Sequence, residues 1–259
     1  MTIKTDFVLS AREFDFVWTA LDLGRLPYPI DVPSVGETVE ERSRLRDETF
    51  DALRGKGLLR GDRPDPDLAD LLRVLAAPKV SVDTVGYANE AIRGLAASDG
   101  SLAALVALRG DVLSFAAIRT TALATSIVDV LPPGEPGVRP AISLPQQALQ
   151  RAVDGDDDDP FGDGDERDIL VGNGVNEQDA TTLIELAERR TSGGQFGVTT
   201  TSQATRVRAG TRTRSKTIIT WFDTGEGRYL MVNDGTWISL APADAARIAN
   251  RINELLRTA

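Results

Sequence analysis

The chain lacks the two residue types on which most protein active sites depend, because it has no His and no Cys among its 259 residues. Disulfides, thiolate or imidazole metal sites, Cys nucleophiles, Ser-His-Asp triads and His general bases are therefore excluded. Carboxylate, Lys and Tyr chemistry remain available, but no carboxylate pair lies beside a recognisable substrate motif. The residue types favour a protein without catalytic activity, cofactor or metal. The alternative is an enzyme that uses carboxylates or Tyr229 in a cleft between two halves of the chain.

Acidic residues are concentrated in one segment, which has nine carboxylates from Asp154 to Asp168 and the single cation Arg167. This segment accounts for −8 of the net charge of −10, so the rest of the chain is nearly neutral. An EF-hand calcium loop placed here would have Phe161 where an oxygen ligand is needed, so we expect no metal site. Clustered like charges with Gly and Pro instead predict an acidic flexible loop at 154–168.

A second concentration of charge is basic and contains five cations with no acid between them: Arg206, Arg208, Arg212, Arg214 and Lys216. The sequence Ala-Gly-Thr at 209–211 predicts the turn of a hairpin, in which alternate residues of each strand share one face. The run could be a solvated edge strand, a contact for an acidic protein surface, a partner of the acidic loop, or a phosphate-binding patch. No aromatic residue interleaves it and the chain is acidic overall, so nucleic acid is not expected. We take these five cations as candidate partner-binding residues.

Hydrophobic periodicity predicts the elements that position these charges. In the first half we expect a strand at 3–9, helices at 11–22, 39–55 and 65–78, a meander of antiparallel strands at 79–119 and a helix at 120–131. In the second half we expect helices at 146–153 and 177–190, strands at 195–201, 204–208, 216–222, 228–232 and 236–240, and a closing helix that opens at Pro242. The order of helices, meander and helix thus occurs twice. The pattern predicts an α+β fold with a central antiparallel sheet, in a single domain 1–259 built of two halves, about 1–135 and 136–259.

The sequence gives no indication of a membrane protein. The start of the chain has no basic region followed by an apolar run, as a signal peptide would have. No run approaches the roughly 18 apolar residues of a membrane-spanning helix. We therefore expect a cytoplasmic protein without membrane insertion.

Several short stretches occur in an order that is typical of one protein family. The N-terminal half contributes Trp18, Leu23-Gly24, Leu26-Pro27, the Leu-Arg-Gly-Lys-Gly-Leu of 53–58, Asp65-Pro66-Asp67-Leu68 and Leu71-Leu72. The C-terminal half contributes Gly194-Gln195-Phe196-Gly197, Phe222-Asp223-Thr224, Gly227-Arg228-Tyr229-Leu230 and Trp237. In these stretches the chain resembles the EspG family of cytosolic chaperones, which are associated with mycobacterial and related ESX (type VII) secretion systems. The combination Phe-Asp-Thr-x-x-Gly-Arg-Tyr is the most specific of them.

The resemblance implies a quasi-two-fold α+β fold with a central antiparallel sheet and two helical bundles. It also implies binding to the helical tip of a PPE protein within a PE–PPE heterodimer, which keeps that substrate soluble and directs it to its secretion system. The matching residues are then structural, with Trp18 and Trp237 expected to pack in the interior. The alternative function is that of a nucleic-acid-associated protein that uses the basic hairpin, and a homodimer stays open.

Overall fold

The computed structural model describes residues 5–154, 166–202 and 211–258. Its first elements are β1 (Phe7–Ser10), α1 (Ala11–Ala20), α2 (Val39–Gly55), β2 (Leu59–Arg60), β3 (Arg63–Pro64), α3 (Pro66–Ala76), β4 (Val80–Ala88), β5 (Glu90–Ser98), β6 (Ala103–Arg109), β7 (Val112–Ile118) and α4 (Leu123–Val128). The remaining elements are β8 (Ile142–Pro145), α5 (Gln146–Asp154), α6 (Glu166–Gly172), α7 (Glu177–Glu188), β9 (Arg190–Thr201), β10 (Arg212–Arg214), β11 (Ile218–Thr224), β12 (Gly227–Asn233), β13 (Trp237–Pro242) and α8 (Ala245–Thr258). A strand, three helices, a meander and a helix therefore follow one another twice.

One antiparallel sheet contains all the longer strands, in the order β1-β7-β6-β5-β4-β9-β11-β12-β13-β8, and β10 pairs with β9 beside this path. The central pair is β4 with β9, in register from Val80 opposite Thr200 to Tyr87 opposite Gly193. On either side of this pair the order is the same, because the opening strand of each half lies outside the last strand of its own meander. The predicted α+β fold with a central antiparallel sheet is confirmed. The division at about residue 135 into halves of one domain stays a prediction.

The helices begin where local sequence supplies caps. Ser10 accepts a hydrogen bond from the backbone N–H of Glu13, whose carboxylate in turn accepts from the N–H of Ser10, so α1 starts with a complete capping box. Asp65 caps α3 ahead of Pro66, which suits the first turn because that position needs no backbone donor. These caps explain why the starts of α1 and α3 could be predicted from sequence.

Helices cover the two faces of the sheet differently. Side chains alternate along each strand, so Ala96 and Trp221 lie on one face and Leu95 and Phe222 on the other. Ala96 and Trp221 belong to the core beneath α4 and α8, which cover the centre of their face. Leu95 packs in a core with α1–α3, and Phe222 in a core with α5–α7. The second face therefore carries two separate helical bundles, as the family resemblance implies, with the central strands between them.

Some predicted boundaries were wrong. The first helix ends at Ala20 rather than at 22, and α4 is shorter than 120–131. Pro242 does not open the closing helix but ends β13 opposite Tyr229, and Asp244 caps α8 with a 2.7 Å hydrogen bond from the N–H of Arg247. A proline is tolerated at such a strand end because few ladder bonds are lost there.

Other features were missed or mispredicted because they depend on distant partners. Strand β8 exists through pairing with β13, and α6 through packing with α5 and α7. Trp18 is buried as expected, but Trp237 is 53% exposed, so its predicted interior packing was wrong. The predicted strand at 204–208 and most of the acidic loop lie outside the described residues.

Candidate docking groove

An open groove of about 1020 Å³ lies on the bundle face of the sheet, over its central strands and beside the end of α3. One wall is the connector 25–31 that follows α1. The floor includes Val85 of β4, Arg93 of β5 and Thr199 of β9, and the other wall is β10. We call this the docking groove. Its position follows from the separation of the two bundles, which leaves the middle of this face uncovered by helices.

The connector 25–31 is held firmly although it has no regular secondary structure. The indole Nε1 of Trp18 donates a 2.8 Å hydrogen bond to the carbonyl of Gly24, and the N–H of Ile30 donates to the carbonyl of Pro27 at 2.8 Å. Ile30 is buried in the core of the first bundle, whereas Tyr28 is 57% exposed. The anchored ends thus present the Tyr28 ring at the groove.

The opposite wall is formed by one part of the basic run, the strand β10; the strand predicted as the other half of its hairpin, 204–208, lies outside the described residues. Strand β10 pairs antiparallel with β9, with Arg212 opposite Thr201 and Arg214 opposite Thr199. Arg212 and Arg214 are two residues apart and therefore share a face, which is the face of the groove. Lys216 lies beyond the strand, is exposed and does not line the groove. The candidate residues Arg206 and Arg208 lie outside the described residues.

Arg214 is held by an ion pair rather than free. Its two terminal nitrogens donate to the two carboxylate oxygens of Asp83 at 2.6 and 2.9 Å. Asp83 is almost fully buried, and its hydrogen bond and charge raise the pKa of the Arg214 guanidinium above its usual range. The guanidinium carbon also lies 5.6 Å from the centre of the Tyr28 ring. Arg214 thus ties β10 to β4 and brings it against the connector.

Sequence reasoning missed two further arginines of this groove. Arg25 follows the anchored Gly24 on the connector, and Arg93 lies in β5, where one nitrogen donates to the carbonyl of Asp31 at 3.4 Å. Neither belongs to a charge cluster in the sequence. These two arginines come close to β10 only in the folded chain, so no pattern of neighbouring residues in the sequence could have identified them.

Tyr229 does not lie in a cleft, so the enzyme alternative built on it was wrong. The ring is fully buried and stacks on Phe222 at 5.5 Å, and its hydroxyl accepts a hydrogen bond from the N–H of Arg139 at 3.2 Å.

Within residues 5–154, 166–202 and 211–258, no group of three or more acidic residues is placed to hold a metal ion. None of the described helices combines the length and apolarity that crossing a bilayer requires.

The motif Phe-Asp-Thr-x-x-Gly-Arg-Tyr forms the hairpin of β11 and β12 and is structural. Arg228 lies opposite Asp223 in the register, and its Nε and a terminal nitrogen donate to that carboxylate at 2.7 and 2.9 Å. A further bond of 2.9 Å joins Arg228 to the carbonyl of Pro132, and the Trp221 ring lies 5.1 Å away. The motif therefore fixes the chain between the two halves rather than binding a ligand.

These features define an α+β protein whose half-sheets each carry a three-helix bundle on the same face. The chain belongs to the EspG family, whose family model matches residues 10–254. A comparison with curated proteins finds no match.

A similar solved structure is that of the Mycobacterium tuberculosis type VII secretion system chaperone EspG5 in complex with the PE25–PPE41 dimer. The TM-score is 0.72 at 14% sequence identity, and the match covers 95% of this chain and 93% of that chain. At this identity the likeness is one of fold, and it extends over both halves.

Proposed function

We propose that this chain is a cytoplasmic chaperone of a type VII (ESX) secretion system, and that it docks the helical tip of a PE–PPE-like heterodimer in preparation for export. Membership of the EspG family over residues 10–254 is the observation that carries this proposal. The uncovered groove on the bundle face supplies a surface on which a helical end could dock.

The physical task is to shield an apolar surface. An exported helical pair with an exposed apolar tip would aggregate at that tip. A chaperone that covers the tip lowers the concentration of the free form. Because the substrate must later be released, an interface near the standard size of about 1600 Å², with a polar rim, suits this task. We propose the basic hairpin, through Arg206, Arg208, Arg212 and Lys216, as part of that rim, with Arg214 holding its second strand in place.

Such a task needs no bond to be made or broken. A binding function is consistent with a chain that has no His or Cys, and with a groove whose charged side chains are four arginines and the single aspartate Asp31. We therefore propose that the protein is not an enzyme.

The test is co-expression with the PE–PPE-like pair encoded nearest to the gene of this chain. We expect the chain to co-purify with the heterodimer and to keep it in the soluble fraction. A matched heterodimer that lacks only the helical tip of its PPE-like subunit serves as the control and should not co-purify. Failure of every neighbouring pair to bind, or equal binding of the tipless form, would refute the proposed function.

A further inference from the structure

We infer that the docking groove is a carboxylate-binding site, in which Arg25 and Arg212 on its two walls select acidic side chains on the docked partner. That partner is the helical substrate of the proposed function, on which this part of the inference rests. The prediction about the groove itself, that it takes carboxylates, can be tested independently.

The charge of the groove differs in sign from that of the whole chain. The chain has a net charge of −10, whereas the groove is lined by four arginines and one aspartate, Asp31. The carboxylate of Asp83 is already engaged by Arg214. In the part of the chain that the structure describes, Arg25 and Arg212 make no ion pair or side-chain hydrogen bond, so their donors are available to a ligand. A local excess of unpaired guanidinium groups is suited to carboxylates, which they can bind through two parallel hydrogen bonds.

The walls that present these two arginines are fixed before any partner arrives. The Arg214–Asp83 pair holds β10 against β4, and its guanidinium lies directly over Gly197. A Cβ at position 197 would overlap a terminal nitrogen of Arg214, so a side chain there would displace the guanidinium from this position. On the other wall, the hydrogen bond from Trp18 to Gly24 anchors the residue that precedes Arg25. A preorganised site loses less conformational entropy on binding than a flexible one.

The uncharged residues of the groove favour a protein segment over a nucleic acid. Leu26, Val85 and the exposed Tyr28 offer apolar contact between the arginines. This combination suits a helix end that carries acidic side chains next to apolar ones. Tyr28 is the one aromatic residue among those lining the groove, which is too few to stack successive bases.

The test compares two double charge reversals. Arg25→Glu with Arg212→Glu changes the groove, and Arg60→Glu with Arg119→Glu is the matched control, since both of these arginines are exposed and lie outside the groove. Thermal unfolding first establishes that both variants fold. Affinity is then measured at low salt for two probes, namely the neighbouring PE–PPE-like heterodimer and a fluorescently labelled peptide of ten glutamates. A single-stranded oligonucleotide of similar charge serves as a third probe.

We expect the groove variant to bind both acidic probes at least about tenfold more weakly than the control variant, with the difference shrinking as salt is added. Heterodimer binding that is equal in the two variants would overturn the selection of the partner by charge while leaving the chaperone function intact. If no heterodimer binds even the unmodified chain, the proposed function fails. Binding of the ten-glutamate peptide then tests the carboxylate site by itself. Equal peptide binding by the two variants, or tighter binding of the oligonucleotide than of the peptide, would overturn the carboxylate site.

Discussion

At the scale of single residues, the buried side chain of Arg228 holds in place the segment 132–135, which connects the two halves of the chain. Its side chain is only 1% exposed and lies among Asp223, the Trp221 ring and the carbonyl of Pro132. Its backbone also bonds the same connection, since its N–H donates to the carbonyl of Glu135 at 2.7 Å. A buried guanidinium is favourable only when it is paired, so both partners are needed.

We expect Arg228→Met to lower the free energy of unfolding by roughly 3–5 kcal/mol, because the carboxylate of Asp223 loses its counter-charge. Adding Asp223→Asn to Arg228→Met should recover part of this loss, since no unpaired charge then remains. Arg73→Met is the control, because it breaks an exposed pair with Asp70 and should cost less than about 1 kcal/mol. Urea unfolding measures all three. A loss for Arg228→Met no larger than that for Arg73→Met would contradict the structural role given to this residue.

At the scale of elements, the contact between α1 and α2 depends on a partly buried acid. Glu13 has 8% of its side chain exposed, and its carboxylate accepts a 2.7 Å bond from Nζ of Lys56, the residue that caps the end of α2. Burial tends to raise the pKa of Glu13, but the bonds from Lys56 and Ser10 outweigh it and hold the pKa below the usual 4.5. The charged form of Glu13 therefore stabilises the folded state.

This pKa shift predicts a pH-dependent stability. A carboxyl with a lowered folded-state pKa contributes its full stabilisation above the unfolded value of 4.5 and loses it as the pH falls through the folded value. We expect Glu13→Gln to destabilise the protein by about 1 kcal/mol near pH 7, reduced by solvent around the half-exposed Lys56, and by progressively less as the pH approaches about 3.

Urea unfolding at a series of pH values measures this effect, with Glu48→Gln on α2 as the control. Glu48 pairs with Arg44 where both side chains are exposed, so its change should be smaller at every pH. A loss for Glu13→Gln that stays constant from about pH 7 to about pH 3 would show that the charge of Glu13 is not what joins the two helices.

The elements also show how far sequence could predict this fold. The start of α1 at Ser10 and of α3 at Asp65 depends on side chains within a few residues, and both were predicted. Strand β8 depends on hydrogen bonds to β13, more than ninety positions later in the chain, and was missed. Local patterns report caps and periodicity, whereas edge strands and short helices are decided by tertiary contacts.

At the scale of the whole molecule, the groove exists only because the two bundles leave the middle of one sheet face uncovered. Sequence identified one of its walls, since Arg212 and Arg214 belong to a visible basic run. The other wall, with Arg25, comes from a proline-rich connector without charge clustering. The sheet order places β4 beside β9 and thereby brings these walls together. The basic run could be recognised in the sequence, but the groove could not be predicted, because it is a product of the sheet topology.

The most direct test of the account is backbone hydrogen exchange of this chain, alone and bound to its PE–PPE-like heterodimer. If the groove docks the helical tip, amides of the connector 25–31 and of 211–216 should exchange more slowly in the complex. Amides of α4 and α8, on the opposite face, should be unchanged. Protection confined to α4 and α8, or no protection at the groove in a stable complex, would contradict the claim that the bundle face is the docking surface.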